Sequence, residues 1–591
     1  MNTNMDYSLS RKQDGSQKAS TKSALLKMLP LLATEKKQVV ISFVAVLLNA
    51  GLNLVGPLMV GYTIDTAIQN RDYHGVLVNS GILLVIYATA FVVNYVQMKT
   101  MGGVAQRTLF RLRHDVFSKL QSLPLAFFNQ NKTGDLISRI NSDTDKINTF
   151  FSQGLMRFVG NVCLVTGAGI FILFINWKLA LSALAPGIVI FIFTRVVSGW
   201  VKKSNAASLT AGGLLSAEIQ ESIANFKVII AFNRRDYFKN RFSEVNQNNF
   251  KGALGAGVAN ELFTPVFEFL GNIAQLIVLG VGFYLIAQGQ FAVGLLVGFV
   301  LYVTRFYDPL REMARLWSTF QIAMAAWDRI GNLLRMESNL TIVPETTSEN
   351  HLGAVMEFKN VSFGYPDGNT KVLNNVNFVF EKGKTYAFVG PTGGGKTTSA
   401  SLVSRLFDPT EGIVYLHGKD IRSYDPAVRS QKIGFILQEP FLFTGTVREN
   451  IAYGNPLYEG KEIEKLEVHL KEAGLESLIS RFTKGLDTKV GSNTSLSLGE
   501  RQLVAFIRAV LRRPDILILD EATANIDTVT EELLQTILEK LPEHTVRIVI
   551  AHRLNTIENA DEIFFVNGGE VVEAGSMEHA VGMLLHGKRQ S

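Results

Sequence analysis

Six stretches of the chain are each long and apolar enough to cross a lipid bilayer, and no other feature restricts its fold as much. They cover residues 38–62, 76–98, 155–176, 179–200, 262–287 and 292–316, each close to the ~20 residues a helix needs to span the hydrocarbon core. Composition agrees. The chain is 47% hydrophobic and 19% charged, with a mean hydropathy of +0.18, too apolar for an ordinary soluble protein. At 591 residues it is also too long for one core. The single cysteine, Cys163, lies inside an apolar run and excludes an intrachain disulfide or a cysteine metal cluster.

The gaps between the stretches alternate in length. The two long ones, residues 99–154 and 201–261, each carry eight Lys and Arg, and the short ones carry almost none. Positive charge of this kind marks the cytoplasmic side, so both long gaps and both chain ends are expected there. The formal net charge of +6 is accounted for in this way, and a nucleic-acid partner is not expected. Apolar residues recur with helical spacing through both long gaps, so the spans are expected to continue into the cytoplasm as long helices. "NKTGDLISRINSDTDKI" interrupts the first gap. Thr133 and Asp135 give a helix-start signal around Gly134, and a short helix held on two stalks would offer a docking surface. "LLKMLPLLATEKK", Leu25 to Lys37, is amphipathic and basic, which suits either a helix lying in the membrane interface or a solvated tail. The first 22 residues are polar and Lys/Ser-rich, so no cleavable signal is expected.

After about residue 355 the text changes to short β-rich runs punctuated by glycine. "KTYAFVGPTGGGKTTSASLVSRLF" fits G-x-x-x-x-G-K-[ST], with Gly390, Gly395, Lys396 and Thr397 in the fixed positions. An apolar strand precedes it and a helical pattern follows. The turn of Gly390, Pro391, Thr392, Gly393, Gly394 and Gly395 can curl around phosphates at a helix N-terminus, each residue but Pro391 offering an N–H, and Thr398 continues that first turn. Lys396 would reach the β- and γ-phosphates of ATP, and the Thr397 hydroxyl would ligate Mg2+. In "RRPDILILDEATANID" the strand "ILIL" ends in Asp520, a second Mg2+ group, and Glu521 is placed to take a proton from an attacking water. Gln438 and His552 each follow an apolar strand and are expected at the γ-phosphate or its water, Gln438 also at the metal. Tyr365, ahead of the phosphate loop, could stack on a base.

"SLSLGERQLVAFIRAV" spaces Ser497 and Glu500 as S-x-x-E before an apolar run, the pattern of a capping box. The turn therefore starts a helix, and a helix N-terminus is also a second anion site. A chain that already has its own phosphate loop would use this one for a nucleotide held by a partner.

With these motifs in order, residues 356–588 resemble the nucleotide-binding domain of an ATP-binding cassette (ABC) transporter. The first half resembles the six-helix membrane domain of the exporter type, with "LPLAFFNQNKTGDLISRINSDT" and "NWKLAL" similar to its first cytoplasmic loop and its third-to-fourth span hairpin. The resemblance implies a multidomain fold, an all-α transmembrane domain of six helices with cytoplasmic extensions plus an α/β P-loop NTPase domain. The expected divisions are a tail over 1–37, a membrane domain over 38–330, a linker over 331–355 and a cassette over 356–591. It further implies that two half-transporters pair head to tail, a homodimer or a heterodimer, with ATP between one phosphate loop and the partner's Ser497, Gly499 and Glu500. Glu521 is then the catalytic base, His552 contacts the γ-phosphate, and Asp135 and its neighbours dock on a cassette. The signature departs from the family's L-S-G-G-Q in Leu498 and Glu500, while Ser497 and Gly499 are retained.

The expected function is ATP-driven export of an amphiphilic drug-like compound or lipid, with the bacterial inner membrane as the default location. A nucleotide-gated channel or regulatory receptor, or an importer on the same scaffold, are the alternatives. Asn49, Asn53, Glu268, Arg305 and Asp308 are polar residues inside the spans. Glu268, with Glu261 seven residues earlier, is the candidate for a cationic or amphiphilic substrate. The alternative for Glu261 and Arg305 is a place in water near a span end.

Overall fold

The computed structural model describes residues 7–9, 28–347, 353–365, 370–458, 460–491, 496–520, 528–550, 560–575, 578–579 and 582–583. These fall into two compact units. One is Ser16–Lys119 with Gly134–Leu334; the other is Arg335–Ser591 with Leu120–Thr133 and Met1–Gly15.

The first unit is helical. Its elements begin with α1 (Lys36–Thr63) and α2 (Tyr73–Gln121). After α3 (Leu125–Gln130), which belongs to the other unit, come α4 (Thr133–Ser138), α5 (Thr144–Thr149) and α6 (Leu155–Ile175). Then follow α7 (Trp177–Ala224), α8 (Phe226–Ala231), α9 (Arg235–Glu261), α10 (Phe263–Ala287) and α11 (Val293–Leu334). Among the described residues, six helical runs are long and apolar enough to cross a membrane: Pro30–Ile68, Tyr73–Gln121, Thr133–Ile175, Trp177–Ala224, Arg235–Ala287 and Val293–Leu334. All but the first extend well past the apolar stretch that marks them, as the spacing of the long gaps predicts.

Thr133 starts a helix as expected, but that helix does not stop. Two π-helical stretches, Arg139–Asp143 and Phe150–Gly154, carry it without a break into the third span. The separate short helix of this region is instead α3. The hairpin at "NWK" turns on Asn176, whose backbone is extended and whose side chain accepts hydrogen bonds from the N–H groups of Lys178 and Leu179, both at 3.1 Å. Those bonds satisfy two of the donors that a helix start leaves open.

Helix α11 packs on α1, α6 and α10. Small residues bring α1 and α11 together: a Cβ on Gly61 would lie 2.7 Å from the Gly294 carbonyl, and one on Gly298 would lie 2.9 Å from that of Pro57. Backbones this close gain packing that larger side chains would forbid. Asp65 closes the same seam, accepting from the N–H groups of Gly294 (2.7 Å) and Leu295 (3.0 Å) at the start of α11. Buried Tyr307 donates to the Ala183 carbonyl on α7 at 2.7 Å, so a polar group at depth is paired rather than left open.

Away from the spans, a charged network ties α4 to the far end of α11. Arg139 is fully buried and donates to Asp135 (2.9 Å) and to the Arg329 carbonyl (2.6 Å). Arg329 pairs with Asp135 at 2.7 Å and lies 3.2 Å from Asp143 as an ion pair, although the latter two are not aligned for a hydrogen bond. The Asp143 side chain is 1% exposed and also holds Lys146 at 3.0 Å. Removing one member of a buried charged set leaves its partner uncompensated. Arg329→Ala is therefore expected to destabilise this unit by about 3 kcal/mol. Asp145→Ala, at the exposed Arg113–Asp145 pair, should cost less than about 1 kcal/mol. Thermal unfolding of the two variants side by side checks the contrast.

The second unit is α/β. Its strands are β1 (Ala354–Phe363), β2 (Leu373–Glu381), β3 (Thr385–Val389), β4 (Glu411–Leu416), β5 (Lys419–Asp420) and β6 (Ile433–Ile436). They continue with β7 (Gly445–Thr446), β8 (Lys489–Val490), β9 (Ile516–Asp520), β10 (Val546–Ile550), β11 (Glu562–Asn567) and β12 (Glu570–Glu573). An antiparallel sheet runs β2-β1-β4-β5, and a six-stranded sheet runs β12-β11-β3-β10-β9-β6. In the larger sheet β11, β3, β10, β9 and β6 are parallel, so their C-terminal ends share one edge. Its central strands are apolar on both faces, which is what a sheet covered on both sides requires. At the opposite edge Asp515 accepts from Lys432 (2.9 Å) and pairs with His417 (2.8 Å). Burial would raise its carboxyl, and those two partners outweigh it and hold the group below its ordinary value.

Tyr7 is stapled to this unit. Its N–H donates to Gln130 Oε1 (2.7 Å), its hydroxyl accepts from the Asn339 N–H (2.8 Å), and its ring stands edge-on to Phe127.

Candidate nucleotide site

The site is built where four parallel strands end together. The register places Phe388 of β3 opposite Ile550 of β10, and Ile550 opposite Asp520 of β9. Leu519 in turn lies opposite Ile436 of β6. With ~4.8 Å between neighbouring strands, the phosphate loop after β3 and the Asp520 carboxylate stand roughly 10 Å apart along one edge. Gln438 follows two residues after β6 at the same edge. Glu521 and His552 lie outside the described residues; the strands that lead to them, β9 and β10, end on this edge.

The loop Gly390–Gly395 leads into α12 (Lys396–Val403). Its glycines are required by contact. A Cβ on Gly394 would come within 2.5 Å of the Val566 carbonyl, and Gly395, the residue before the helix, has φ 115. Pro391, Thr392 and Gly393 are exposed at the tip, whereas Gly394 and Gly395 are buried beneath it. Val566 is a contributor that the motif does not name: its carbonyl on β11 sets how closely the loop can fold against the sheet.

Lys396 is buried, and its Nζ donates to the carbonyls of Gly390 (2.7 Å) and Pro391 (3.0 Å). The ammonium is thus folded over the first turn of the loop, where a phosphate would sit. Thr397 is exposed at the mouth, while Thr398 is buried and shares a 3.1 Å hydrogen bond with the Tyr365 hydroxyl. Tyr365 is further held edge-on between Phe363 and Phe407. Its ring is therefore positioned beside the loop by three contacts. Asp520 is buried, 8% exposed, at the end of β9. A threonine hydroxyl, a carboxylate and an amide oxygen are hard oxygen donors of the kind Mg2+ takes.

Ser497 and Glu500 form the expected capping box at the start of α13 (Leu498–Val510). The Glu500 N–H donates to Ser497 Oγ at 3.2 Å, and the Ser497 N–H donates to Glu500 Oε2 at 2.7 Å. Leu498 is the first helical residue and half-exposed, so it sits in the turn without breaking the cap. Gly499 follows it in the first turn. The remaining helix buries Leu503, Val504, Phe506 and Ile507, which anchors the turn to the core.

In the membrane unit, Glu268 is exposed on α10 and ion-paired with Arg311 of α11, which also lies 3.8 Å from Asp308. The candidate substrate carboxylate is thus ion-paired, and no local pattern around Glu268 signals a partner 43 residues away.

The comparisons with known proteins agree with this geometry. Residues 39–310 match the ABC transporter transmembrane region, and residues 373–524 match the ABC transporter domain. An uncharacterized ABC transporter ATP-binding protein of Bacillus subtilis, YfiC, is 32% identical over 96% of this chain and 94% of its own length. A fatty acid ABC transporter ATP-binding/permease protein of Mycobacterium bovis is 33% identical over 86% of this chain and 80% of its own. An ATP-dependent lipid A-core flippase of Syntrophus aciditrophicus is 33% identical over 84% and 82%. The chain is an integral membrane ATPase whose ATP hydrolysis is coupled to transport. It belongs to the ABC transporter family, as a half-transporter of the exporter type.

The buried Lys396 carries the sharpest expectation. If Lys396 meets phosphate as expected, Lys396→Met removes a charge-assisted hydrogen bond, and affinity for a fluorescent ATP analogue should fall about tenfold or more. Titration of the full-length protein in detergent reads this directly.

Proposed function

We propose that the chain exports an amphiphilic compound or lipid across a bacterial plasma membrane, as one half of a dimer with two shared ATP sites. The observation that supports this most is the single sheet edge on which the phosphate loop, Asp520 and the approach to Gln438, Glu521 and His552 converge. Relatives named for fatty acid and for lipid A-core transport favour an amphiphile over a small hydrophilic solute.

In this reading Gly390 to Thr398 cradle the phosphates of ATP, with Lys396 on the β- and γ-phosphates and Tyr365 against the base. Thr397, Gln438 and Asp520 are the groups that would hold Mg2+, which when bound neutralises phosphate charge. Ser497, Gly499 and the helix start behind them face the nucleotide of the partner half. Glu500 acts by holding that turn through its cap. Glu521 accepts a proton from the water that attacks the γ-phosphorus, the bond to the ADP oxygen breaks, and ADP and phosphate leave. His552 contacts the γ-phosphate and helps to orient it. ATP binding draws two cassettes together and turns the membrane cavity outward, and hydrolysis resets it, a two-state element biased by its ligand. The division into tail, membrane domain, linker and cassette at residues 37, 330 and 355 belongs to the same proposal.

Glu521→Gln tests the assignment of the base. ATP hydrolysis should fall by about 100-fold or more, while binding of a fluorescent ATP analogue persists. Hydrolysis at the parent rate would remove Glu521 from this role.

A further inference from the structure

Seven ionisable side chains of the membrane unit gather on three helices. Along α11, Arg305, Asp308, Glu312 and Arg315 follow at steps of three, four and three, which sets them on one face with Arg311 at its flank. Leu296, Phe299, Val303 and Tyr307, on the other side of α11, are buried in the helix packing. Glu268 joins from α10 and Arg157 from α6. Arg305 is twelve residues past Val293, the start of α11, or about 18 Å down the helix axis. Glu268 stands about 28 Å from the end of α10 at Ala287 by the same rise. Arg305 and Asp308 therefore lie in the cytoplasmic half of a hydrocarbon core ~30 Å thick, and Glu268, Arg311, Glu312 and Arg315 carry the cluster to its cytoplasmic boundary. Charges at that depth face a water-filled cavity rather than lipid tails.

The charges are unequal in number and in satisfaction. There are three carboxylates, Glu268, Asp308 and Glu312, and four guanidinium groups, Arg157, Arg305, Arg311 and Arg315. Glu268 bonds Arg311, which also approaches Asp308. Glu312 pairs with Arg315 at 2.5 Å and with Arg157 at 4.0 Å. Half-buried Arg305 has no hydrogen-bond or ion-pair partner among the described residues. A cation entering this cavity would meet carboxylates already neutralised. An anion would meet one guanidinium with its donors open, a planar group suited to bidentate pairing with carboxylate or phosphate.

We propose that Arg305 binds the headgroup of an anionic amphiphile, a carboxylate or phosphate carried on an apolar chain, inside the membrane cavity. This rests on the amphiphile-export reading above and replaces Glu268 with Arg305 as the residue that selects the substrate.

The full-length protein in phosphatidylcholine nanodiscs, titrated with palmitate, hexadecyl phosphate and hexadecylammonium, tests it through binding and through stimulation of ATP hydrolysis. The anionic probes should bind more tightly than the cation, and the tighter of the two names the headgroup. Arg305→Gln should weaken them about tenfold or more, the size of one lost charge-assisted pair. Arg305→Lys should restore part of that affinity. Arg305→Glu should turn the preference towards hexadecylammonium, a gain that a misfolded protein cannot show. Preference for the cation in the parent, or unchanged palmitate binding in Arg305→Gln, overturns the inference and leaves the export reading standing. No response of the parent to any of the three probes overturns the amphiphile reading itself.

Discussion

The bilayer sets the terms for the first half of this chain. In hydrocarbon no water is present to pair a peptide group, so each span must satisfy its own backbone and can do so only as a helix. The same rule governs side chains. Tyr307 reaches the Ala183 carbonyl, Glu268 of α10 pairs with Arg311 of α11, and Glu312 of α11 pairs with Arg315 and with Arg157 of α6. Where apolar surface offers no drive for helices to associate, close approach has to supply it. The seam of Gly61, Gly294 and Gly298, closed by Asp65, is that approach.

In the second unit backbone geometry serves chemistry instead. Parallel strands point their C-terminal ends at one edge, and the loop after β3 can lie flat against Val566 only because Gly390 and Gly394 lack side chains. Exposed N–H groups at the helix start then favour an anion. The signature turn has the same physics at a different helix end, stabilised by the Ser497–Glu500 cap. In the proposed dimer, one phosphate loop and one signature turn on each chain would be halves of two different sites.

The spans were legible in the sequence because an apolar run of ~20 residues matches the thickness of a bilayer and little else. The cassette strands were legible because short apolar runs end in glycine, aspartate or glutamine. The loop at Gly390 and the cap at Ser497 are local patterns, read within a few residues. What stayed hidden was long-range or continuous. Nothing in "GDLISRINSD" says that a helix started at Thr133 will pass through two π-helical stretches and reach Ile175. Asp135 stood out as a helix-start residue, yet its partner Arg329 is 194 positions away. Tyr7 looked like part of a tail, and it is held by Gln130 and Asn339. The partner of Glu268 was not legible, because Arg311 is brought to it only by the packing of α10 on α11.

The central claim is that ATP does work on a solute rather than opening a path for it. The most direct measurement is accumulation of a fluorescent amphiphile in inverted membrane vesicles holding the purified protein, followed with ATP and Mg2+ present. Active export predicts that the probe rises inside above its outside concentration, and that Glu521→Gln vesicles show no such rise. A probe that only equalises across the membrane when ATP is added, in both proteins alike, would contradict it and identify a nucleotide-gated channel on the same scaffold.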